Sequence, residues 1–325
     1  MQFIYRLFTC LSLIFAVAGL AKAQQTSQKF VRETNYLLSM PQGYASDTST
    51  RWPLMLFLHG SGESGSDIEK VKVHGPPSLA AKSKQFPFIV VSPQSAVPNG
   101  WDVEMLYQLI QDVKKRYRVD DSRVYLTGLS MGGFGTWSLA MKYPDEFAAI
   151  APVCGGGDTA GIWKLRHIPI WCFHGAKDDV VLPASSIKMV EAARKYNPEV
   201  RFTLYPEANH NSWDSAYNSS DSLYDWFLAH RKFKYSEIKV PETKLKDYEG
   251  WYVAGADDDT VRLFVQNSSL IAIGGRDTIP LKAAGDQLFF IDPARNIDVE
   301  FIRRKNKVTG FLFSGRERVI FRKIR

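Results

Sequence analysis

At 325 residues, with 45% hydrophobic and 23% charged residues, the chain can hold one large domain plus a small one, and it is too apolar to be disordered or fibrous. Its formal charge of +7 is modest and spread out. The densest basic stretches, "RRKNK" at 303–307 and the C-terminal "RERVIFRKIR", read as solvated hairpin faces, and no nucleic-acid partner is expected.

The first residues, "MQFIYRLFTCLSLIFAVAGLAKA", combine Arg6, an apolar run from Leu7 to Leu20 and an Ala21-Lys22-Ala23 ending. This is the pattern of a secretory signal cleaved after Ala23, so residues 1–23 are assigned to it. The run is shorter than the roughly 18–20 residues of a membrane span. Cleavage removes Arg6 and Lys22, lowering the charge from +7 to +5. The mature protein is expected to be exported, periplasmic or extracellular, with no membrane span. Two cysteines remain, Cys154 and Cys172, each in an apolar stretch, and either a disulfide or two buried thiols fits.

From about Lys29 to His230 strand-like and helix-like stretches alternate. "NYLLSMP" reads as an early strand, and "WPLMLFLHG" and "FPFIVVSP" as buried strands. "EMLYQLIQDVKKRY" has apolar residues at helical spacing. "RVYLT", "FAAIAPV", "IPIWCFHG" and "RFTLYP" read as further strands, with helices over "FGTWSLAMKYP", "SSIKMVEAARKY" and "SLYDWFLAHRK". Such alternation predicts an α/β fold, a doubly wound, mostly parallel sheet covered on both faces, with ligands at the carboxyl ends of the strands. The catalytic domain is assigned to 24–232. Residues 233–244 read as a polar linker, and 245–325, short strands between Gly, Asn and Asp turns, as a small all-β domain.

One turn stands out. "GLSMGG" lies between the strand "RVYLT" and a helix, placing Ser130 in a Gly-x-Ser-x-Gly elbow that lifts its hydroxyl above the sheet. A serine hydroxyl needs a base to become nucleophilic, and the base needs a third group to orient it. In this architecture the acid and the histidine follow the serine, in that order. Later strand ends supply both: "HGAKDDVV" offers Asp178 and Asp179, and "PEANH" offers His210, while Asp158 in "CGGGD" is a third carboxylate within reach. The oxyanion of a tetrahedral intermediate needs N–H donors. Met131, next to the nucleophile, supplies one, and the glycine-rich loop "HGSGESG" is expected to supply the Ser61 N–H. No Cys/His set has metal-ligand spacing, and neither a metal nor a cofactor is expected.

The combination "HGSGESG", "RVYLTGLSMGGFGTW", "FHGAKDDVV" and "NHNSWDSAY" resembles the esterase branch of the α/β-hydrolase superfamily often labelled predicted peptidase or phospholipase/carboxylesterase. It is similar to feruloyl and acetylxylan esterases and polyhydroxybutyrate depolymerases, over roughly residues 30–232. The resemblance implies that the acid of its His-Gly-x-x-Asp motif is Asp178 and that the histidine of its His-x-x-Trp motif is His210. The tail, from "YEGWY" to "FLFSGRERVIFRK", resembles the small β domain appended to some bacterial serine hydrolases and β-lactamase-like proteins, with three roles open to it: covering the active-site mouth, binding a polymer, or adding stability.

The expected activity is hydrolysis of carboxylic esters through an acyl-enzyme, on a small-molecule or polysaccharide ester carrying acyl or feruloyl groups. Trp101 and Trp213 either wall the acyl site or pack structurally, and Glu63 either orients a substrate hydroxyl or faces solvent. Two rival readings are a serine peptidase on the same fold and a binding protein working through its C-terminal domain.

Overall fold

The computed structural model describes residues 33–324 apart from 83–84, 219–221 and 256–258. The proposed signal segment lies outside the described residues. Among the described residues, thirteen strands and α-helices frame the first domain: β1 (Tyr36–Ser39), β2 (Trp52–Leu58), α1 (Gly75–Ala81), β3 (Ile89–Pro93), α2 (Val103–Arg116), β4 (Val119–Leu129), α3 (Met131–Lys142), β5 (Ala149–Val153), β6 (Ile170–Gly175), α4 (Ala184–Arg194), β7 (Val200–Tyr205), α5 (Trp213–Asn218) and α6 (Ser222–Leu228). The strands lie in one sheet in the order β1-β3-β2-β4-β5-β6-β7. Only β1 runs antiparallel to its neighbour.

The continuous apolar runs of the sequence are explained by burial on both sheet faces. In β2, Leu54, Leu56 and Leu58 join one core with Leu106, Leu109, Ile110 and Val113 of α2 and Trp137 of α3. Met55 and Phe57 point the other way and join Tyr217 of α5 and Trp226 and Phe227 of α6. A period-2 strand with helices on both sides has no polar face to show. Helix α2 starts where Asp102 accepts the N–H groups of Glu104 and Met105, both at 3.1 Å, and its last turn carries Lys114, Lys115 and Arg116, where the helix dipole favours cations.

After α6 come a short helix α7 (Glu242–Leu245) and eight strands: β8 (Gly250–Ala254), β9 (Asp259–Gln266), β10 (Ser269–Gly274), β11 (Asp277–Ala283), β12 (Leu288–Phe290), β13 (Asp298–Arg304), β14 (Lys307–Ser314) and β15 (Arg318–Lys323). They close into an antiparallel barrel, β15 pairing back to β8. Two hairpins turn on consecutive residues of positive φ, Asn267-Ser268 (51° and 58°) and Lys305-Asn306 (49° and 62°), the twist that tight two-residue hairpins need. Leu245, Tyr248, Tyr252, Phe289, Phe301 and Phe311 fill the barrel core.

The linker stretch is held along its length. Lys232 N–H donates to Ser122 O, Tyr235 N–H to Pro293 O and Ile238 N–H to Ala283 O, and buried Tyr235 stacks on Phe290 at 5.0 Å. At the junction Asp298 accepts from Arg166 Nη2 and from the Tyr235 hydroxyl, each at 2.5 Å, and Asn296 N–H donates to Asp145 at 2.9 Å. Asp145 follows α3, and Arg166 precedes β6. The barrel therefore docks at the amino-terminal edge of the parallel sheet. That position removes one role the sequence left open to it, covering a mouth at the carboxyl edge.

Candidate active site

Three loops at the carboxyl ends of β4, β6 and β7 bring Ser130, Asp178 and His210 together. Ser130 has φ 52° and ψ −117°, a conformation sparsely populated by non-glycine residues, between the end of β4 and the first residue of α3. Its N–H is anchored on Val153 O at 3.0 Å. The elbow fits because glycine follows: a Cβ on Gly132 would lie 2.0 Å from Leu58 O, a clash with backbone that no side-chain movement relieves.

His210 Nε2 stands 3.0 Å from Ser130 Oγ, and its Nδ1 stands 2.8 Å from Asp178 Oδ2. Asp178 is buried, and its other oxygen accepts the N–H groups of Val180 at 3.0 Å and Val181 at 2.9 Å. Burial pushes this carboxyl upward, but the hydrogen bonds from His210, Val181 and Val180 outweigh it and hold Asp178 below the usual carboxylate range. It therefore stays ionised, acceptor-only, and fixes the tautomer with the proton on Nδ1 and the lone pair of Nε2 facing Ser130. Asp179 is exposed, and Asp158 is exposed and accepts the Ala160 N–H at 2.9 Å, closing its own turn. Neither makes the contact to His210 that Asp178 makes.

Met131 is the first residue of α3 and Ser61 the first of a 3₁₀ turn, so neither N–H has a partner within its own helix. The loop carrying Ser61 lies against Ser130: a Cβ on Gly60 would come within 3.6 Å of Ser130 Cβ. Glu63 is buried, contrary to a solvent-facing residue, and its carboxylate accepts the Gly60 N–H at 2.8 Å. Gln94 Nε2 donates to the carbonyls of Glu63 and Asp67 at 2.8 and 2.7 Å. His59 Nε2 accepts the Ser95 N–H at 2.9 Å, which leaves its proton on Nδ1, facing Gly60 O at 2.5 Å. Burial lowers the His59 pKa, keeping that imidazole neutral.

Trp213 meets the His210 ring edge-on, with centroids 5.2 Å apart, and touches His74 at the same distance. Trp101 reaches the site through His59, at 4.7 Å, and packs on Gly135 of α3. The two tryptophans therefore differ: Trp213 borders the His210 imidazole, whereas Trp101 backs the loop.

Sequence reasoning missed His174. Wholly buried, its Nε2 lies 2.8 Å from Val181 O and 3.1 Å from Asp178 Oδ2, and its Nδ1 lies 2.7 Å from Ser186 Oγ. The signal was in view, since His174 opens the His-Gly-x-x-Asp stretch. Cys154, at φ 43°, is also close: its thiol lies within 4.8 Å of ligand atoms of Asp178 and His210. A metal reading of that trio does not fit the chemistry, because burial pushes the Cys154 thiol up to about 12 and both His210 nitrogens are engaged. Cys154 and Cys172 are both free and buried.

Residues 95–226, the stretch from the end of β3 to α6 that carries all three residues, match the dienelactone hydrolase family. The chain is 30% identical over 190 residues to a bifunctional acetylxylan esterase/xylanase of Neocallimastix patriciarum, covering 56% of this chain and 27% of that protein. It is also 27% identical over 163 residues to a probable feruloyl esterase C of Aspergillus terreus, covering 47% of this chain and 58% of the relative. Among solved structures, a thermostable esterase aligns with a TM-score of 0.52 at 29% identity, covering 60% of this chain and 59% of that one. This chain spans less than two thirds of the length of these relatives. The fold of the first domain is that of the α/β-hydrolases, and no helix among the described residues is long and apolar enough to cross a membrane.

Proposed function

We propose that the chain is an exported serine esterase that cleaves carboxylic esters, with Ser130 as nucleophile, His210 as general base and acid, and Asp178 as the group that orients and charges-compensates the imidazole. The observation that carries this reading is the hydrogen-bonded line from Ser130 Oγ through His210 to Asp178, anchored on a serine at φ 52°. Ser130 Oγ attacks the ester carbonyl while His210 Nε2 takes its proton. The oxyanion sits between the N–H groups of Met131 and Ser61, each such donor being worth about 10²–10³ in rate. Collapse expels the alcohol, protonated by His210, and leaves an acyl-Ser130. Water, deprotonated by His210, then attacks the acyl carbonyl and releases the acid.

Acyl and feruloyl esters of polysaccharides are the proposed substrates. Support comes from the names of the relatives, an acetylxylan esterase/xylanase and a feruloyl esterase, and from Trp213, an aromatic wall beside the imidazole. We assign residues 1–23 to an export signal, 24–232 to the catalytic domain, 233–244 to the connection and 245–325 to the barrel. The position of the barrel favours an esterase over a peptidase gated by a second domain, because the barrel lies at the edge of the sheet away from Ser130.

The reading is tested by incubating the protein with acetylated xylan, feruloylated xylan, a p-nitrophenyl ester and a peptidyl anilide. Release of acetate or ferulate, with the anilide cleaved far more slowly, is the expected result. Cleavage of the synthetic ester alone would contradict the polysaccharide assignment, and anilide cleavage at a comparable rate would contradict the esterase.

A further inference from the structure

Between the hydrolase domain and the barrel, on the side away from Ser130, runs a cleft of about 470 Å³, within the roughly 300–1,000 Å³ of ligand clefts. Five cationic side chains line it, Lys142, Lys164, Arg166, Arg295 and Arg316, against a single carboxylate, Asp145. Asp145 is itself engaged by the Asn296 N–H. Three of the cations are balanced locally: Lys142 by Glu104, Arg166 by Asp298 and Arg295 by Asp292. Lys164 and Arg316 have no carboxylate within ion-pair distance among the described residues, and Arg166 keeps Nη1 buried with no hydrogen-bond partner.

The wall of this cleft is the Trp163 ring. Three cationic groups crowd it: Lys164 Nζ at 5.9 Å, the Arg166 guanidinium at 5.6 Å and that of Arg318 at 5.9 Å. Like charges gathered around one ring repel each other, and a buried guanidinium N–H without an acceptor carries a desolvation cost. An anion in the cleft would relieve both. An indole face beside guanidinium forks offers a flat apolar surface and paired N–H donors, the requirements of a sugar ring that carries a carboxylate.

We propose that this cleft is a secondary binding site for an acidic polysaccharide, holding a uronate carboxylate between Arg166, Lys164 and Arg316 with its sugar ring on Trp163. The anion follows from the charges alone; the choice of a saccharide rests on the esterase reading above. The site would hold the protein on a polymer while Ser130, at the other edge of the sheet, works on ester groups of the same chain.

The test is equilibrium binding of oligogalacturonate, neutral xylo-oligosaccharide and inorganic phosphate to the full chain carrying Ser130→Ala, which removes turnover. Oligogalacturonate is expected to bind, to weaken as salt rises, and to lose at least tenfold in affinity in a Lys164→Glu/Arg316→Glu variant and in Trp163→Ala. The same substitutions in the active enzyme should leave hydrolysis of a p-nitrophenyl ester unchanged, which shows that the fold is intact. Absent oligogalacturonate binding, binding of phosphate alone, or affinity unchanged in the variants would each overturn the proposal. Loss of ester hydrolysis in the otherwise unsubstituted protein would instead count against the esterase reading and leave the binding result standing.

Discussion

The carboxylate of Asp178 lies between two imidazoles, 2.8 Å from His210 Nδ1 and 3.1 Å from His174 Nε2. His210 reaches on to Ser130, whereas His174 is sealed inside the sheet and reaches Val181 O and Ser186. One ring is placed to move a proton, and the other ties the turn 178–181 to the strand that presents it.

His174 is thus a positioning residue. Replacing it with Ala should lower kcat for a p-nitrophenyl ester by about ten- to a hundredfold with KM little changed, because displacing a reacting group by even 1 Å costs on that order. His174→Gln, which keeps a donor, should recover part of the loss. Steady-state kinetics decide it, and an equal fall in kcat for both variants would contradict the role.

The elbow predicts its own fragility. Gly132→Ala sets a methyl group against Leu58 O in a helix start that cannot move without displacing Ser130. A loss of at least about 4 kcal/mol is expected, in the range reserved for backbone conflicts and disrupted cores. Denaturant unfolding measures it, and a stability within 1 kcal/mol of the parent would show that the turn relaxes after all.

Burial pushes both Cys154 and Cys172 up to about 12, so at pH 8 only about one thiol in 10⁴ is ionised. Neither should react with iodoacetamide in the native protein, and both should react after denaturation without reductant. Mass spectrometry reads the outcome. Labelling of the native protein would contradict the burial, and no labelling of the unfolded chain would mean a disulfide.

At the domain junction burial raises the Asp298 carboxyl, but His167, Arg166 and Tyr235 more than offset this and bring it from an ordinary 3.8 down to about 2. A folded-state value below the unfolded one stabilises the protein fully above about pH 4 and progressively less as pH falls toward 2, a contribution of about 2 kcal/mol. Asp298→Asn should flatten the acid limb of the stability curve in that window. It should also cost about 3–5 kcal/mol at neutral pH, since it leaves the largely enclosed Arg166 guanidinium beside a neutral partner. Thermal unfolding from pH 2 to 7 tests both, and identical acid limbs in the two proteins would contradict the linkage.

Much of this architecture was legible from the chain. A run such as "PLMLFL", apolar at every position, has to be a strand covered on both faces, and β2 feeds two separate cores. The order of the strands brings the loops bearing Ser130, Asp178 and His210 to one edge of the sheet. What could not be read were choices made by side-chain direction. Asp178 and Asp179 are neighbours, and only the turn of the loop buries one and exposes the other. Trp101 and Trp213 had equal claims on the site until the packing of His59 and His74 separated them. Closure of the barrel depends on β15 finding β8 some 70 residues earlier in the chain, a long-range pairing that alternation within strands does not encode.

The central claim is the hydrogen-bonded line that starts at Ser130, and its most direct test is p-nitrophenyl acetate hydrolysis at pH 8 by the protein and by Ser130→Ala. The account predicts a fall of at least about 10⁴-fold in kcat/KM with unchanged thermal stability. Equal turnover by the two proteins would contradict it and leave the elbow without a catalytic role.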